Sequence, residues 1–239
     1  MNYSSRYLTQ LKHYSDLTEQ FPMQLDRGNN YILMAYHYDN NDFLTTPRNN
    51  ITGPCIPNGI TKIHDKLRKQ GLTTKLYIMD NEVSEDIKKY FEYSDIQFQL
   101  LPPHIHWKNA AERAVRTFKN HFIAALCTVG PLFTFYLWYR LLPQVTMTLH
   151  MLRLSQLNPE LSAYEQVDGI HNFEQTPLAP LGCKVQIHKK SHKRLTYAPH
   201  SVDGWYLVPE VHHYRFYILY NIYTGVETIP DIIDFSRNL

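Results

Sequence analysis

Three apolar runs separated by segments of helical spacing leave this chain few architectures. The first, Tyr31-Ile-Leu-Met-Ala-Tyr-His-Tyr38, lies between the turn signals Arg27-Gly-Asn-Asn30 and Asp39-Asn-Asn-Asp42 and reads as a buried strand. Lys75-Leu-Tyr-Ile-Met-Asp-Asn81 is a second strand, and Ile96-Gln-Phe-Gln-Leu-Leu101 alternates as a third. Between them, Ile60, Ile63 and Leu67 have helical spacing up to Gly71, and Ser84 is placed to cap a short helix ending near Tyr93. Phe43 to Thr46 reads as a hairpin partner of the first strand, stopped by Pro47, and residues 14–23 can supply an opening strand that carries Asp16. Strands and helices in this alternation predict a mixed α/β sheet.

After Pro102-Pro103 the pattern becomes a long helix from about Asn109 to Leu126. Ala111, Val115, Phe118, Phe122 and Leu126 form its apolar stripe, while Glu112, Arg116 and Lys119 share another face. Leu141 to Leu154 reads as a further helix with Pro143 in its first turn, where a missing N–H costs nothing. From Leu181 the texture changes to short β-like runs, Cys183 to His188, Gly204 to Val208, Tyr214 to Tyr220 and Gly225 to Ile229, separated by turn residues. The expected organisation is a core over residues 1–172 and a small β-rich module over 173–239.

Two carboxylates stand out in this frame. Asp80 closes an apolar strand, and Glu112 sits near the start of the long helix, 32 positions later, with cations one and two turns on. Acids delivered from different elements to one place make a site for hard divalent cations, which activate and stabilise the oxygens of a phosphodiester under attack. A third carboxylate has to come from elsewhere in the chain: Asp16 on the opening strand, or Asp26 or Asp39, which border the strand at 31–38.

The stretch Leu101-Pro-Pro-His-Ile-His-Trp-Lys-Asn-Ala-Ala-Glu-Arg-Ala-Val-Arg-Thr-Phe-Lys119, preceded by Met79-Asp-Asn-Glu82, resembles the core of retroviral-type integrases of retrotransposons, closest to copia-type elements. In that family an Asp-Asn pair ends the strand and the glutamate lies in an Ala-Glu-Arg helix after a proline-containing loop. Ser15-Asp-Leu-Thr-Glu-Gln-Phe-Pro22 followed by Arg27-Gly-Asn-Asn-Tyr-Ile32 is similar to the segment that carries the first aspartate, which points to Asp16 ahead of Asp26 and Asp39. Leu137 to Leu142, Asn158 to Glu165 and the tail through Phe235 are similar to the regions that follow the core, so the resemblance covers roughly residues 14–235. It departs from the family at Glu19, where a glycine is usual, and at the Pro/Gly-rich stretch 53–59, where a helix is expected.

The resemblance implies a ribonuclease H-like core whose Asp16, Asp80 and Glu112 bind two Mg2+ or Mn2+ ions, and an activity that processes element DNA ends and joins them to target DNA from within a homo-oligomer. Arg116 and Lys119 are then candidates to hold phosphates. A competing reading keeps nucleic-acid binding and drops catalysis, as in a degenerate or repurposed integrase-like module.

Charge alone does not decide between them, because 24 basic against 22 acidic residues give only +2. The basic cluster is local: Lys184, His188, Lys189, Lys190, His192, Lys193 and Arg194, of which Lys189, Lys190, Lys193 and Arg194 are the candidate DNA contacts. Three widely spaced cysteines give neither a disulfide framework nor a cysteine-rich zinc site. No apolar stretch is long enough to span a bilayer, and no basic-then-apolar signal pattern opens the sequence. A nuclear or cytoplasmic protein with no membrane partner is expected.

Overall fold

In the computed structural model, five strands assemble around β1 (Lys12–Leu17), which takes the central place. The structure describes residues 12–17, 28, 30–49, 60, 61, 63–65, 68, 74–79, 85–100, 110–194 and 196–235; for 12, 13, 15–17, 110, 111 and 193 it describes the backbone alone. The chain divides into two units, residues 1–120 with 146–169 and residues 121–145 with 170–239.

In the first unit, β1 pairs antiparallel with β2 (Tyr31–His37), which pairs antiparallel with β3 (Asp42–Arg48). On its other side β1 runs parallel to β4 (Leu76–Met79), and β4 parallel to β5 (Gln97–Leu100), giving the order β3-β2-β1-β4-β5. The mixed α/β sheet expected from the alternation of runs is thus present. One boundary differs. Pro47 does not stop β3 but lies within it, opposite Ile32, because β3 is an edge strand and a residue without an N–H is tolerated there.

β2 is buried along its whole length from Ile32 to His37, so it reads as a continuous apolar run and not as an alternating one. Leu33 and Ala35 join Leu44, Tyr77 and Met79 in a core closed by Ile60 and Ile63 and by Ile87 and Phe91 of α1 (Glu85–Tyr93). Ile87 and Phe91 are four residues apart, which puts both on the buried stripe of that short helix. His64 packs into this core with its ring stacked on Tyr90 and edge-on to Tyr77, and its Nδ1 lies 3.0 Å from the Tyr90 hydroxyl.

A long helix α2 (Ala110–Cys127) follows, with Val115, Phe118 and Phe122 buried as the stripe requires. The helix expected from Leu141 begins at Leu142, as α3 (Leu142–Leu152), with Pro143 in its first turn; the residues before it, Phe135–Leu141, form a 3-10 helix. Within the first unit Thr146 of α3 meets Thr45 of β3 at 3.2 Å, and His150 stacks on Phe43. His150 Nε2 also lies 2.8 Å from both Asp42 Oδ1 and the Phe43 nitrogen, in a buried corner. α4 (Ala163–Asp168) starts at a capping box: the Ser162 hydroxyl accepts from the Glu165 N–H and the Glu165 carboxylate from the Ser162 N–H.

The second unit holds an antiparallel sheet of order β10-β6-β7-β8-β9: β6 Lys184–His188, β7 Ser201–Glu210, β8 Phe216–Asn221, β9 Val226–Thr228 and β10 Ile233–Phe235. Val185 and Ile187 alternate inward to meet Tyr206, Tyr217 and Leu219. Gly204 is required by contact, because a Cβ there would stand 2.6 Å from Ile187 Cδ1 and 3.0 Å from the Tyr220 carbonyl. Residues 121–145 belong to this unit through Phe133 against Trp205, the Gln144 amide donating to the Ala179 carbonyl, and an ion pair of Arg140 with Glu227. The Arg140 guanidinium also lies over the Tyr220 ring, 4.9 Å from its centroid.

Burial, reinforced by the Arg68 cation, pushes the His64 imidazole down to about 4, so the ring is neutral in the fold. Its Nε2 is buried without a hydrogen-bond partner among the described residues, and a proton added there would have no acceptor. A folded pKa below the unfolded value near 6.5 means that stability is complete above that value and is lost as pH falls toward 4. The expected outcome is that, between pH 7 and 4.5, the parent loses about 2 kcal/mol more unfolding free energy in urea than His64→Phe. Parallel pH profiles for the two proteins would refute the assignment.

Candidate functional site

The parallel pairing of β1 and β4 determines where the predicted acids fall along the chain. Asp16 is the fifth residue of β1 and pairs with Met34 on the β2 side. Its carboxylate is not among the described side chains, and Asp80, which follows Met79 at the end of β4, lies outside the described residues, as does Asp26. Asp39 is described. It sits in the turn after β2, and since His37 pairs with His13, this turn is at the end of the sheet where β1 and β4 begin. The Asp39 carbonyl there accepts from the Gln156 and Leu157 N–H groups.

Glu112 is in the first turn of α2, where its negative charge complements the helix dipole. It is about half exposed, and its Oε1 is 4.0 Å from Nη2 of Arg116 one turn on. Exposed pairs of this geometry are worth only tenths of a kcal/mol, so the contact leaves both groups available to a ligand. Arg116 is well exposed and Lys119 half-buried. Among the described residues no three His, Cys, Asp or Glu side chains converge on a metal-sized site, but two of the three predicted ligands are not among the side chains described.

The basic cluster forms the β6–β7 connection of the second unit. Lys189, Lys190, His192 and Arg194 line an open cavity of about 640 Å³ together with His188 and Asp231. Acids stand close by: Lys190 Nζ is 3.9 Å from Asp231, His188 Nε2 is 2.8 Å from Asp234, and Lys184 Nζ is 2.7 Å from Asp203. The Arg194 Nε–H donates to the Lys189 carbonyl and pins the turn. The Lys193 side chain lies outside those described.

A second cavity, of about 320 Å³, lies in the first unit, and the sequence gives little warning of it. Its walls include Tyr36 and Tyr38 at the end of β2, Phe43 of β3, Arg113 of α2, and Arg153 and Gln156 after α3. Asn41 organises this corner. It is buried at a φ of 59°, a left-handed conformation that asparagine tolerates better than most residues. Its Oδ1 accepts from the Tyr36 hydroxyl at 3.0 Å and from the Arg153 Nε–H at 3.1 Å, while its Nδ2 donates to the Leu154 carbonyl at 2.8 Å. The Arg153 guanidinium is held over the Phe43 ring, 5.6 Å from its centroid. Burial pushes the Tyr36 phenol up in pKa, opposed by the cations of Arg153 and Arg113. Tyr36 and Tyr38 are two apart on a strand and so share a face, the one local signal that could have drawn attention here; the arginines are forty positions apart.

No family model matches the chain, and no curated protein does. Among solved structures, it is similar over 95% of its length to 78% of a chain in the simian T-cell lymphotropic virus intasome, solved in complex with the PP2A regulatory subunit B56 gamma, with 11% identity and a TM-score of 0.51. The chain has a retroviral integrase-like fold. Two further structures are the catalytic core domain of BIV integrase, at 16% identity over 66% of this chain and 94% of that one with a TM-score of 0.47, and the HTLV-2 integrase catalytic core domain in complex with magnesium, at 13% identity over 67% and 97% with a TM-score of 0.49. At these identities the likeness concerns the fold alone. Among its described residues no helix is long and apolar enough to cross a membrane.

Replacing Asn41 by Ala removes three hydrogen bonds, one buried and two part-buried, and leaves a Cβ-bearing residue in the left-handed region without its side-chain support. The expected loss is about 2–4 kcal/mol in urea unfolding. Asn41→Gly, which relieves only the backbone cost, should recover less than half of it. A loss below about 1 kcal/mol for the alanine variant would show that the corner does not depend on this side chain.

Proposed function

We propose that this chain is a retrotransposon integrase of the copia type, with a ribonuclease H-like core over residues 1–172 and a β-rich module over 173–239. The supporting observation is a register. Partners on the parallel strands β1 and β4 are 64 positions apart, as Lys12 is from Leu76 and Tyr14 from Ile78, and Asp16 and Asp80 are separated by the same 64 positions. Parallel neighbours in the middle of a sheet end on the same side, and ligand sites of such sheets gather at the carboxyl ends of the strands.

Asp16, Asp80 and Glu112 would hold two Mg2+ or Mn2+ ions, a set of hard oxygen donors suited to those cations. When bound, the ions activate the attacking oxygen and stabilise the leaving one. The chain's own part is to bring the three acids together and to position DNA. Arg116 and Lys119, on the face of Glu112, bind phosphates of the element end. Lys189, Lys190, Lys193 and Arg194 add a sequence-independent grip on backbone phosphates. The substrates are element DNA ends and target DNA, the active form is a homo-oligomer holding two ends, and the protein works in the nucleus or the cytoplasm.

The test is strand transfer of an oligonucleotide end into plasmid DNA with Mg2+ or Mn2+, comparing the parent with Asp16→Asn, Asp80→Asn and Glu112→Gln. Each substitution is expected to lower the rate by at least about a thousandfold, the several kcal/mol that a metal-held transition state supplies. Activity retained in Asp16→Asn but lost in an Asp26 or Asp39 variant would reassign the first ligand. DNA binding without any metal-dependent cutting by the parent would sink the enzymatic reading, and hydrolysis without joining would limit it to a nuclease. For the second unit, Lys189→Gln with Lys190→Gln should reduce the slope of log affinity against log salt by about 2, one per phosphate contact removed. An unchanged slope would take DNA off that loop.

A further inference from the structure

We propose that the cavity bounded by Tyr36, Tyr38, Phe43, Arg113, Arg153 and Gln156 binds one nucleotide unit of a DNA strand, its phosphate between the two guanidinium groups and its base against Tyr38. The ligand's charge follows from the lining. Two guanidinium groups meet around about 320 Å³, and among the described residues no carboxylate lines it. Arg153 is committed only through Nε, to Asn41, so among the described residues its terminal nitrogens make no hydrogen bond or ion pair. Arg113 is exposed, and its side chain likewise makes none among the described residues. A fork of donors fixed through its inner nitrogen and stacked on Phe43 is preorganised for the paired oxygens of a phosphate.

The aromatic lining selects a nucleotide over inorganic phosphate. Tyr38 is more than one-third exposed, with Tyr36 edge-on at 6.3 Å and Tyr14 at 6.2 Å supporting its ring. A supported but accessible ring is a stacking platform that accepts any base. The Tyr36 hydroxyl, occupied by Asn41 and by the Gln156 amide, forms a satisfied floor that a ligand need not desolvate. The cavity neighbours the proposed catalytic acids in sequence: Arg113 follows Glu112, and Tyr14, which pairs with Tyr36, precedes Asp16 by two residues. The identity of the strand as DNA rests on the integrase reading; the binding chemistry does not.

The probe is the 5′-phosphorylated thymidine dinucleotide pTpT, and the readout is the rate at which phenylglyoxal modifies Arg113 and Arg153 in the full chain, mapped by mass spectrometry. Saturating pTpT should slow both, and thymidine at the same concentration should slow neither. Affinity for pTpT should fall about tenfold in Arg113→Gln, a substitution that breaks no side-chain bond among the described residues, and by at least as much in Arg153→Gln. Tyr38→Ala should weaken pTpT but leave inorganic phosphate unaffected.

Absence of protection in the parent chain, or unchanged affinity in Arg113→Gln, would overturn the proposal. Equal protection by O-phosphoserine would overturn the nucleotide assignment in favour of a phosphoprotein partner. Failure of strand transfer with protection intact would remove the integrase reading and leave the cavity's ligand in place, whereas strand transfer without protection would remove the cavity assignment alone.

Discussion

The first unit depends on one strand having two kinds of neighbour. β1 is antiparallel to β2 and parallel to β4, and that difference sorts the chain's polar residues to opposite ends of the sheet. The end where β2 turns into β3 collects Asp39, Asn40, Asn41 and Asp42, all tied into the fold by local bonds or burial. The other end is where β4 finishes, one residue short of Asp80. Had β4 joined antiparallel, its carboxyl end would fall at the end of the sheet occupied by the β2–β3 turn. The parallel crossover requires an intervening segment, supplied before β4 by the residues around Ile60 and Ile63, whose burial closes the same core.

The β2–β3 corner shows how a strained residue becomes useful. Asn41 adopts a left-handed backbone in a buried place, a cost normally met by glycine. Glycine would relieve the backbone but would supply no side chain to hold Tyr36, Arg153 and the Leu154 carbonyl. The residue therefore converts a turn into a mount: a guanidinium that would otherwise sample many rotamers is fixed above an aromatic ring. Strain, satisfied hydrogen bonding and a cation aimed at a cavity coincide there.

Charge in the second unit is less one-sided than a count of its lysines implies. Asp203, Asp231 and Asp234 come from β7, the residues before β10 and β10 itself, and each stands near a lysine or histidine of β6 or of the connection after it. These contacts are exposed or half-exposed and individually weak, so they orient the basic side chains more than they neutralise them at physiological salt.

β2, β4 and β5 within the runs at 31–38, 75–81 and 96–101, the long helix with its stripe of Val115, Phe118 and Phe122, and the β texture after residue 181 were legible in the sequence, because burial of a periodic apolar face leaves its period in the chain. Glu112, Arg116 and Lys119 were placed on one face for the same reason, and the retroviral integrase-like fold agrees with the resemblance carried by residues 101–119. Pro47 reads locally as a stop, since nothing local says that a strand lies at the edge of its sheet. Apart from the spacing of Tyr36 and Tyr38, the cavity was not legible: Arg113 and Arg153 meet only after β2, α2 and the segment beyond α3 have packed, and Asn41 reads as an ordinary turn residue until its three partners arrive. Sequence determined which residues could form each element and which face they would bury, since those follow from backbone geometry and hydrophobicity; tertiary structure alone decided which distant charges share a pocket, because that depends on the direction and order of strands that no local pattern encodes.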